Sequence, residues 1–454
     1  MVAERDASIA RLEARVAELE EKVGQTSANS NKPPSSDPPG AGASGGGAAK
    51  PGGRKRGGQP GHRGNRRNLL PADEVDEVVD CFPAACTCCR RRLAQTADAD
   101  ALRHQVTEVP PVRPRVTEYR QHAVACRCGH ITRGSLPRGV TSVPFGPRLI
   151  AIVAMLVGVY KLSRRAAQAL LEEMLGVPMS LGAISNCERR ASNAIESADA
   201  EAAARAQQAA IKHIDATSWR QAGLYMHVWT LVTAAATLFR ITADGTSATV
   251  RDVLGRIKGY LVSDRASAFS FLKMKRRQIC WAHLMRKFVT FAERTGDAGR
   301  IGRELLDHTT LLFTYWHQLQ RGELSRVRFR RNLAPIRKRV VELLNDAVHR
   351  DIPRMAGSCR DVLKHQDALW TFVDVPNIEP TNNAAERALR AAVIWRKTSL
   401  GTQSERGNRF AERILTVTAT LRQHQRDVLG FLVGAVEALM HGRPSPSLFA
   451  VHAA

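Results

Sequence analysis

Residues 209–272 read as strand, strand, strand, helix, strand, and that order restricts the fold more than any other stretch of the chain. Ile211–Asp215 is a short extended run, and residues 224–233 and 237–242 carry the aromatic and β-branched side chains that suit a pleated sheet. A helix is expected over 248–257, followed by a fourth strand over 259–263. The first and fourth strands each bear an aspartate at or near the C-terminal end, Asp215 and Asp264. Adjacent strands of one mixed sheet in an α/β core would set these two carboxylates side by side.

A third acid, Glu386, stands in Asn382-Asn383-Ala384-Ala385-Glu386-Arg387, and a helix packed over that sheet would deliver it. Each acid also has a plain structural reading. Asp215 can open a turn, and Asp264 can cap the next helix. Glu386 can close a capping box with Asn383 or pair with Arg390 one turn on. Together they suit different chemistry. Phosphodiester chemistry by two metal ions roughly 4 Å apart needs carboxylates that converge from separate elements. Carboxylate and water ligands suit Mg²⁺ or Mn²⁺.

The surrounding chain is basic, with 67 Lys+Arg against 43 Asp+Glu and a formal net charge of +24. Such a charge calls for a polyanionic partner, nucleic acid first. A membrane-surface protein would need a basic amphipathic helix or a lipidation signal, and neither is found. The longest apolar run, Leu149 to Tyr160, spans 12 residues, too few for a bilayer, and reads as a buried helix. The first twenty residues are charged throughout and form no signal peptide, so a cytoplasmic, DNA-associated protein is expected.

The remaining organisation follows from composition. Ile9, Leu12, Val16, Leu19 and Val23 alternate spacings of three and four, which predicts a coiled-coil helix over 1–24 and self-association. Residues 25–70 are rich in Ser, Pro, Gly and Ala and are expected to be a disordered linker. Its basic stretch, Arg54, Lys55, Arg56, Arg63, Arg66 and Arg67, suits phosphate binding. Residues 71–135 hold six of nine cysteines. Cys86-x-x-Cys89 and Cys126-x-Cys128 predict a small zinc-ribbon-like module with structural Zn²⁺, and Cys81, Cys88, His122 and His130 are nearby substitutes.

Residues 145–205 give a helix, a break at Gly176-Val177-Pro178 and a second helix, with Ser163 and Ser180 as N-caps. That is a helix-turn-helix outline, shared by any packed helical hairpin. The core is expected over 206–405 with a large helical insertion at about 281–375, then C-terminal helices over 406–454. Cys280-Trp281-Ala282-His283 has metal-type residues with no second pair nearby, so a structural role at the sheet edge is expected. Arg286, Lys287, Arg387, Arg390, Arg396 and Lys397 are candidates for holding a DNA backbone beside the acids.

These features resemble the bacterial insertion-sequence transposases of the IS sixty-six type, over nearly the whole chain. The resemblance rests on Asn31-Lys32-Pro33-Pro34-Ser35-Ser36-Asp37, Gly57-Gly58-Gln59-Pro60-Gly61-His62 and the cysteine pairs. It also rests on Cys280-Trp281-Ala282-His283 with Arg286-Lys287-Phe288, and on the block from Asn382 to Arg390. It implies a DDE-type transposase on an RNase H-like core, with Asp215, Asp264 and Glu386 matching the family's acids in order. Such enzymes bind terminal inverted repeats, cleave the element's ends and join the freed 3′-hydroxyls to target DNA. Synapsis of two ends implies at least a dimer, and accessory proteins of the same element are implied partners. Two other functions share parts of this pattern: a transposase relic that binds DNA without chemistry, and a plain RNase H-type nuclease.

Overall fold

The structure, a computed structural model, describes residues 68–449 and scattered positions between 5 and 26. The linker arginines and lysine from Arg54 to Arg67 lie outside the described residues. The chain divides into two units, Ser44–Arg113 and a larger unit of Met1–Ala43 with Pro114–Ala454. In the smaller, a short 3₁₀ turn at Ala72–Glu74 precedes a bridge between Ala85 and Arg92 that closes a turn around the first cysteine pair.

The larger unit is mixed α/β. Its segment from Pro114 onward opens with a hairpin of β1 (Ala123–Ala125) and β2 (Ile131–Arg133). Four helices follow: α1 (Pro147–Ala154), α2 (Arg164–Leu175), α3 (Leu181–Ala194) and α4 (Glu196–Gln208). Ser163 and Ser180 cap α2 and α3 by accepting the N–H groups of Ala166 and Ala183, as their sequence context predicts. Gly176 ends α2 in the left-handed region.

The sheet contains β3 (Ile211–Gln221), β4 (Leu224–Val232), β5 (Thr237–Thr242), β6 (Tyr260–Ser263) and β7 (Arg277–Ile279). The spatial order is β5-β4-β3-β6-β7. β3, β4 and β5 pair antiparallel, and β6 and β7 add in parallel on the other side of β3. β3 and β4 meet through Ala222 and Gly223, both at positive φ (49° and 85°), the backbone a tight two-residue hairpin needs. β3 therefore runs six residues past Asp215, and the expected strand end at that aspartate is corrected to mid-strand. α5 (Ser247–Leu254) crosses between β5 and β6 and stops before Gly255, earlier than the expected 257.

After β7 come α6 (Trp281–Ala292), α7 (Gly296–Gln320), α8 (Arg326–His349) and α9 (Ala356–Lys364), then two short turns, Gln366–Leu369 and Thr371–Asp374. α10 (Asn383–Ser399), α11 (Glu405–Gln423) and α12 (Val428–Met440) close the chain's described part.

Strand alternation sends neighbouring residues into two different cores. Leu261 joins Ile214, Trp219, Leu231 and Phe239 against helices α1, α3, α11 and α12. Val262, the next residue, joins Trp281, Leu305, Phe329 and Trp370 in the helical insertion. The insertion core includes Trp281 against Trp370, ring centroids 4.9 Å apart, with Trp281 Nε1 donating to the Leu369 carbonyl at 2.7 Å. Burial on both faces explains why β6 carries two adjacent large apolar residues, Leu261 and Val262.

Candidate active site

β3 and β6 run parallel with His213 opposite Val262. Two residues further along both strands, Asp215 and Asp264 stand at the same level, Asp264 directly after the end of β6. The Asp215 Oδ1 accepts the Ala216 N–H at 2.9 Å, and the Asp264 Oδ1 accepts the Ala266 N–H at 3.0 Å. The Asp264 carbonyl accepts from the buried Arg277 guanidinium on β7, at 3.0 Å.

Glu386 comes one turn into α10, whose start is pinned to the sheet. The fully buried Asn382 donates its amide N–H to the Ile214 carbonyl at 2.7 Å, and its backbone N–H to Cys280 Sγ at 3.1 Å. Trp281 donates its backbone N–H to the Pro380 carbonyl at 2.9 Å. These bonds fix the segment before α10 against the residue preceding Asp215 and against the end of β7. The Asn382 side chain thus reaches across to the sheet, and neither a capping box at Asn383 nor an ion pair with Arg390 engages Glu386. Its Oε2 lies 3.3 Å from Arg286 Nη2, and its Oε1 lies 3.7 Å from His283 Nδ1 and 3.9 Å from Cys280 Sγ.

The electrostatics follow from this crowding. Burial pushes the Asp215 carboxyl up to about 7, and the charges of Asp264 and Glu386 push the same way. The Ala216 N–H and Arg286 pull it back. Burial lowers His213 to about 4, with Arg387 adding to the effect and Asn382 opposing it. Burial also lowers His283, against the pull of Glu386 and Asp264. Burial pushes the Cys280 thiol up to about 11, against N–H groups of Asn382, His283 and Ala282. Among the described residues, Cys280, His283 and Glu386 form a group whose ligand atoms all lie within 4.8 Å of one another.

The basic residues divide. Arg286 is at the site, and Lys287 beside it is half-buried, its pKa lowered by burial and by Arg265 and Arg294. Arg387, Arg390 and Lys397 are exposed along α10. Arg396 turns inward and donates to Thr217 Oγ1 at 3.2 Å and the Ser218 carbonyl at 2.8 Å, tying α10 to β3.

The two cysteine pairs fall in different units. The Cys86 N–H donates to the Arg91 carbonyl at 2.9 Å, and Arg90 takes positive φ. The N–H groups of Cys89 and Cys88 and the Cys89 thiol lower the Cys86 pKa. Cys126 repeats the pattern: its N–H donates to the His130 carbonyl at 2.8 Å, and Gly129 takes φ 87°. The Cys128 N–H and thiol lower its pKa. Backbone N–H groups facing a sulfur favour the thiolate, the form that binds metal. No helix among the described residues is long and apolar enough to cross a membrane.

Comparison with known proteins adds a family. A protein of Sinorhizobium fredii described as "Uncharacterized protein y4qI" is 25% identical over 218 residues, 44% of this chain and 39% of that protein. The chain thus matches about two fifths of that relative's length. Residues 3–68 match a family of unknown function, DUF6444. Residues 142–410 match the model described as "Transposase IS66 family". That match takes in more than half of the chain, the five-stranded sheet, the helical insertion and all three acids, and the chain belongs to the IS66 family of transposases.

Proposed function

We propose that this chain cleaves and joins DNA at the ends of a mobile element, using Asp215, Asp264 and Glu386. One observation carries the reading: parallel β3 and β6 bring Asp215 and Asp264 to one level, and Asn382 pins the start of α10, which bears Glu386, to the carbonyl of the residue before Asp215; burial and the neighbouring carboxylates push the Asp215 carboxyl up. Arg286 offsets these like charges at Asp215 from the Glu386 side, and it leaves the Asp215 carboxyl raised. Oxygen donors of this kind fit hard divalent cations, Mg²⁺ or Mn²⁺. Asp215, Asp264 and Glu386 would hold such ions, whose chemistry would be to activate an attacking oxygen and stabilise the leaving one.

The chain's own residues set the geometry. Asp215 and Asp264 present carboxylates from one parallel strand pair, and Asn382 with Arg396 holds α10 so that the Glu386 charge is felt at Asp215, while its carboxylate rests against Arg286, His283 and Cys280. Arg286 restrains the Glu386 carboxylate through Oε2. The strand order and the insertion between the second and third acids support an RNase H-like core. Arg387, Arg390 and Lys397 on α10, with Arg286 and Lys287, hold the DNA backbone near the acids. Arg54, Lys55, Arg56, Arg66 and Arg67 add salt-sensitive phosphate contacts. The paired helices α2 and α3 read the terminal repeats. Cys86 with Cys89, and Cys126 with Cys128, each supply a pair of zinc-type ligands within their own unit, supported by the N–H groups aimed at Cys86 and Cys126. Water opens the phosphodiester at the element's end, and the freed 3′-hydroxyl then attacks target DNA.

The test is purified protein with Mg²⁺ and a duplex carrying the element's terminal repeat. End-specific nicking is expected, reduced more than about 100-fold in Glu386→Gln with affinity for the duplex retained. A wild type that binds the duplex and never nicks it would leave a DNA-binding protein without chemistry. Nicking without end preference would favour a plain nuclease.

A further inference from the structure

Cys280 occupies the N-cap position of α6, directly after β7, and His283 lies three residues on. That spacing brings both side chains to one side of the helix's first turn. Sequence spacing supplies two metal-type ligands there, and the fold supplies a third from α10, 106 residues from Cys280. The Glu386 carboxylate is divided between two environments. Oε2 faces Arg286, and Oε1 faces His283 Nδ1 at 3.7 Å and Cys280 Sγ at 3.9 Å.

We propose that Cys280, His283 and Glu386 form a site for a borderline-soft divalent cation such as Zn²⁺, sharing Glu386 with the carboxylate group of Asp215 and Asp264. Tetrahedral zinc with ordinary bond lengths separates a carboxylate oxygen from an imidazole nitrogen by about 3.4 Å and from a thiolate sulfur by about 3.6 Å. The observed separations of 3.7 and 3.9 Å exceed these by an amount that small side-chain rotations supply. His283 Nδ1 is buried and has no hydrogen-bond partner among the described residues. A buried ring nitrogen left this way is costly unless its lone pair is used. Cys280 Sγ accepts the Asn382 N–H, a bond that persists with the thiolate and orients it. Thiolate and imidazole donors select zinc over magnesium, whereas Asp215 and Asp264 offer oxygen alone. Binding releases the thiol proton to solvent and leaves a fourth position open.

One consequence rests on the assignment of Glu386 under Proposed function. A cation held through Oε1 draws Glu386 toward α6 and away from Asp215 and Asp264, so Zn²⁺ suppresses Mg²⁺-supported cleavage.

The site itself is tested without any cleavage assay. Full-length wild type is dialysed to equilibrium against micromolar Zn²⁺ in millimolar Mg²⁺, which occupies the oxygen-only carboxylates, and bound zinc is counted by atomic emission beside Cys280→Ser, His283→Gln and Asp215→Asn. Zinc at Cys86, Cys89, Cys126 and Cys128 is common to all four proteins and cancels. The expected result is one ion fewer, or at least tenfold weaker binding of that ion, in Cys280→Ser and in His283→Gln, and no change in Asp215→Asn. If Cys280→Ser melts out at the dialysis temperature, His283→Gln alone carries the comparison. Equal zinc in wild type and His283→Gln overturns the proposal and leaves Cys280 as a helix cap. Loss of the ion in Asp215→Asn also overturns it, because the ion would then sit among the carboxylates. Failure of end-specific nicking in Mg²⁺ strikes the assignment of the acids and leaves the zinc count untouched.

Discussion

Above neutral pH and without divalent ions, Asp215 carries its charge in surroundings that resist it. Its folded pKa near 7 lies above the ordinary value of about 3.9, so the folded state holds the proton more tightly than the unfolded chain does. The sign is therefore destabilising as pH rises: the loss begins near pH 4 and is complete above pH 7, amounting to up to about 4 kcal/mol. Asp215→Asn should raise the melting temperature of metal-free protein at pH 8 and leave it nearly unchanged at pH 4. Glu412, lifted to about 7 mainly by burial, titrates in the same window, and comparing wild type with Asp215→Asn isolates the Asp215 share. No difference at pH 8 would mean that the acids are not crowded. The strand and helix contexts of Asp215, Asp264 and Glu386 were legible in the sequence. The inward turn of Arg396 and the approach of Cys280 and His283 to Glu386 were not, because each depends on how elements far apart in the chain pack.

The pairing of β3 with β6 begins at a close approach that one residue permits. A Cβ on Gly259 would lie 1.9 Å from the Ala210 carbonyl oxygen, which accepts the Tyr260 N–H at 2.7 Å. Gly259→Ala must shift one strand against the other, costing about 3 kcal/mol or more, read as a lowered urea midpoint. Asn382→Ala leaves the buried Ile214 carbonyl without its partner, a loss of about 1–3 kcal/mol. It should reduce cleavage more than DNA affinity, since the start of α10 loses its tie to β3 while Arg396 still holds the far end. Equal losses would show that Asn382 serves only stability. Helix ends at this scale were readable, because Ser163, Gly176 and Ser180 act through local backbone bonds. The length of β3 was not, because its second half is set by the hairpin with β4. β7 was missed altogether, since three residues are too few to show a period.

The whole molecule joins a family-typical core to an N-terminal helix with its own pattern. Ile9, Leu12, Val16, Leu19 and Val23 are helical and exposed. A stripe of that spacing suits a second copy of the same helix. Deleting residues 1–24 should lower the mass seen by light scattering; unchanged mass would remove the self-association reading. The succession of four strands and a helix along the chain was open to sequence reasoning, whereas the fifth strand and the split of β6 between two cores required the packed structure. The claim on which everything else depends is that Asp215, Asp264 and Glu386 jointly hold hard cations. Anomalous diffraction from crystals grown with Mn²⁺ tests it most directly. Manganese density bridging all three carboxylates is the expected result. Density at Glu386 alone, or none among these residues at millimolar Mn²⁺, would contradict the account.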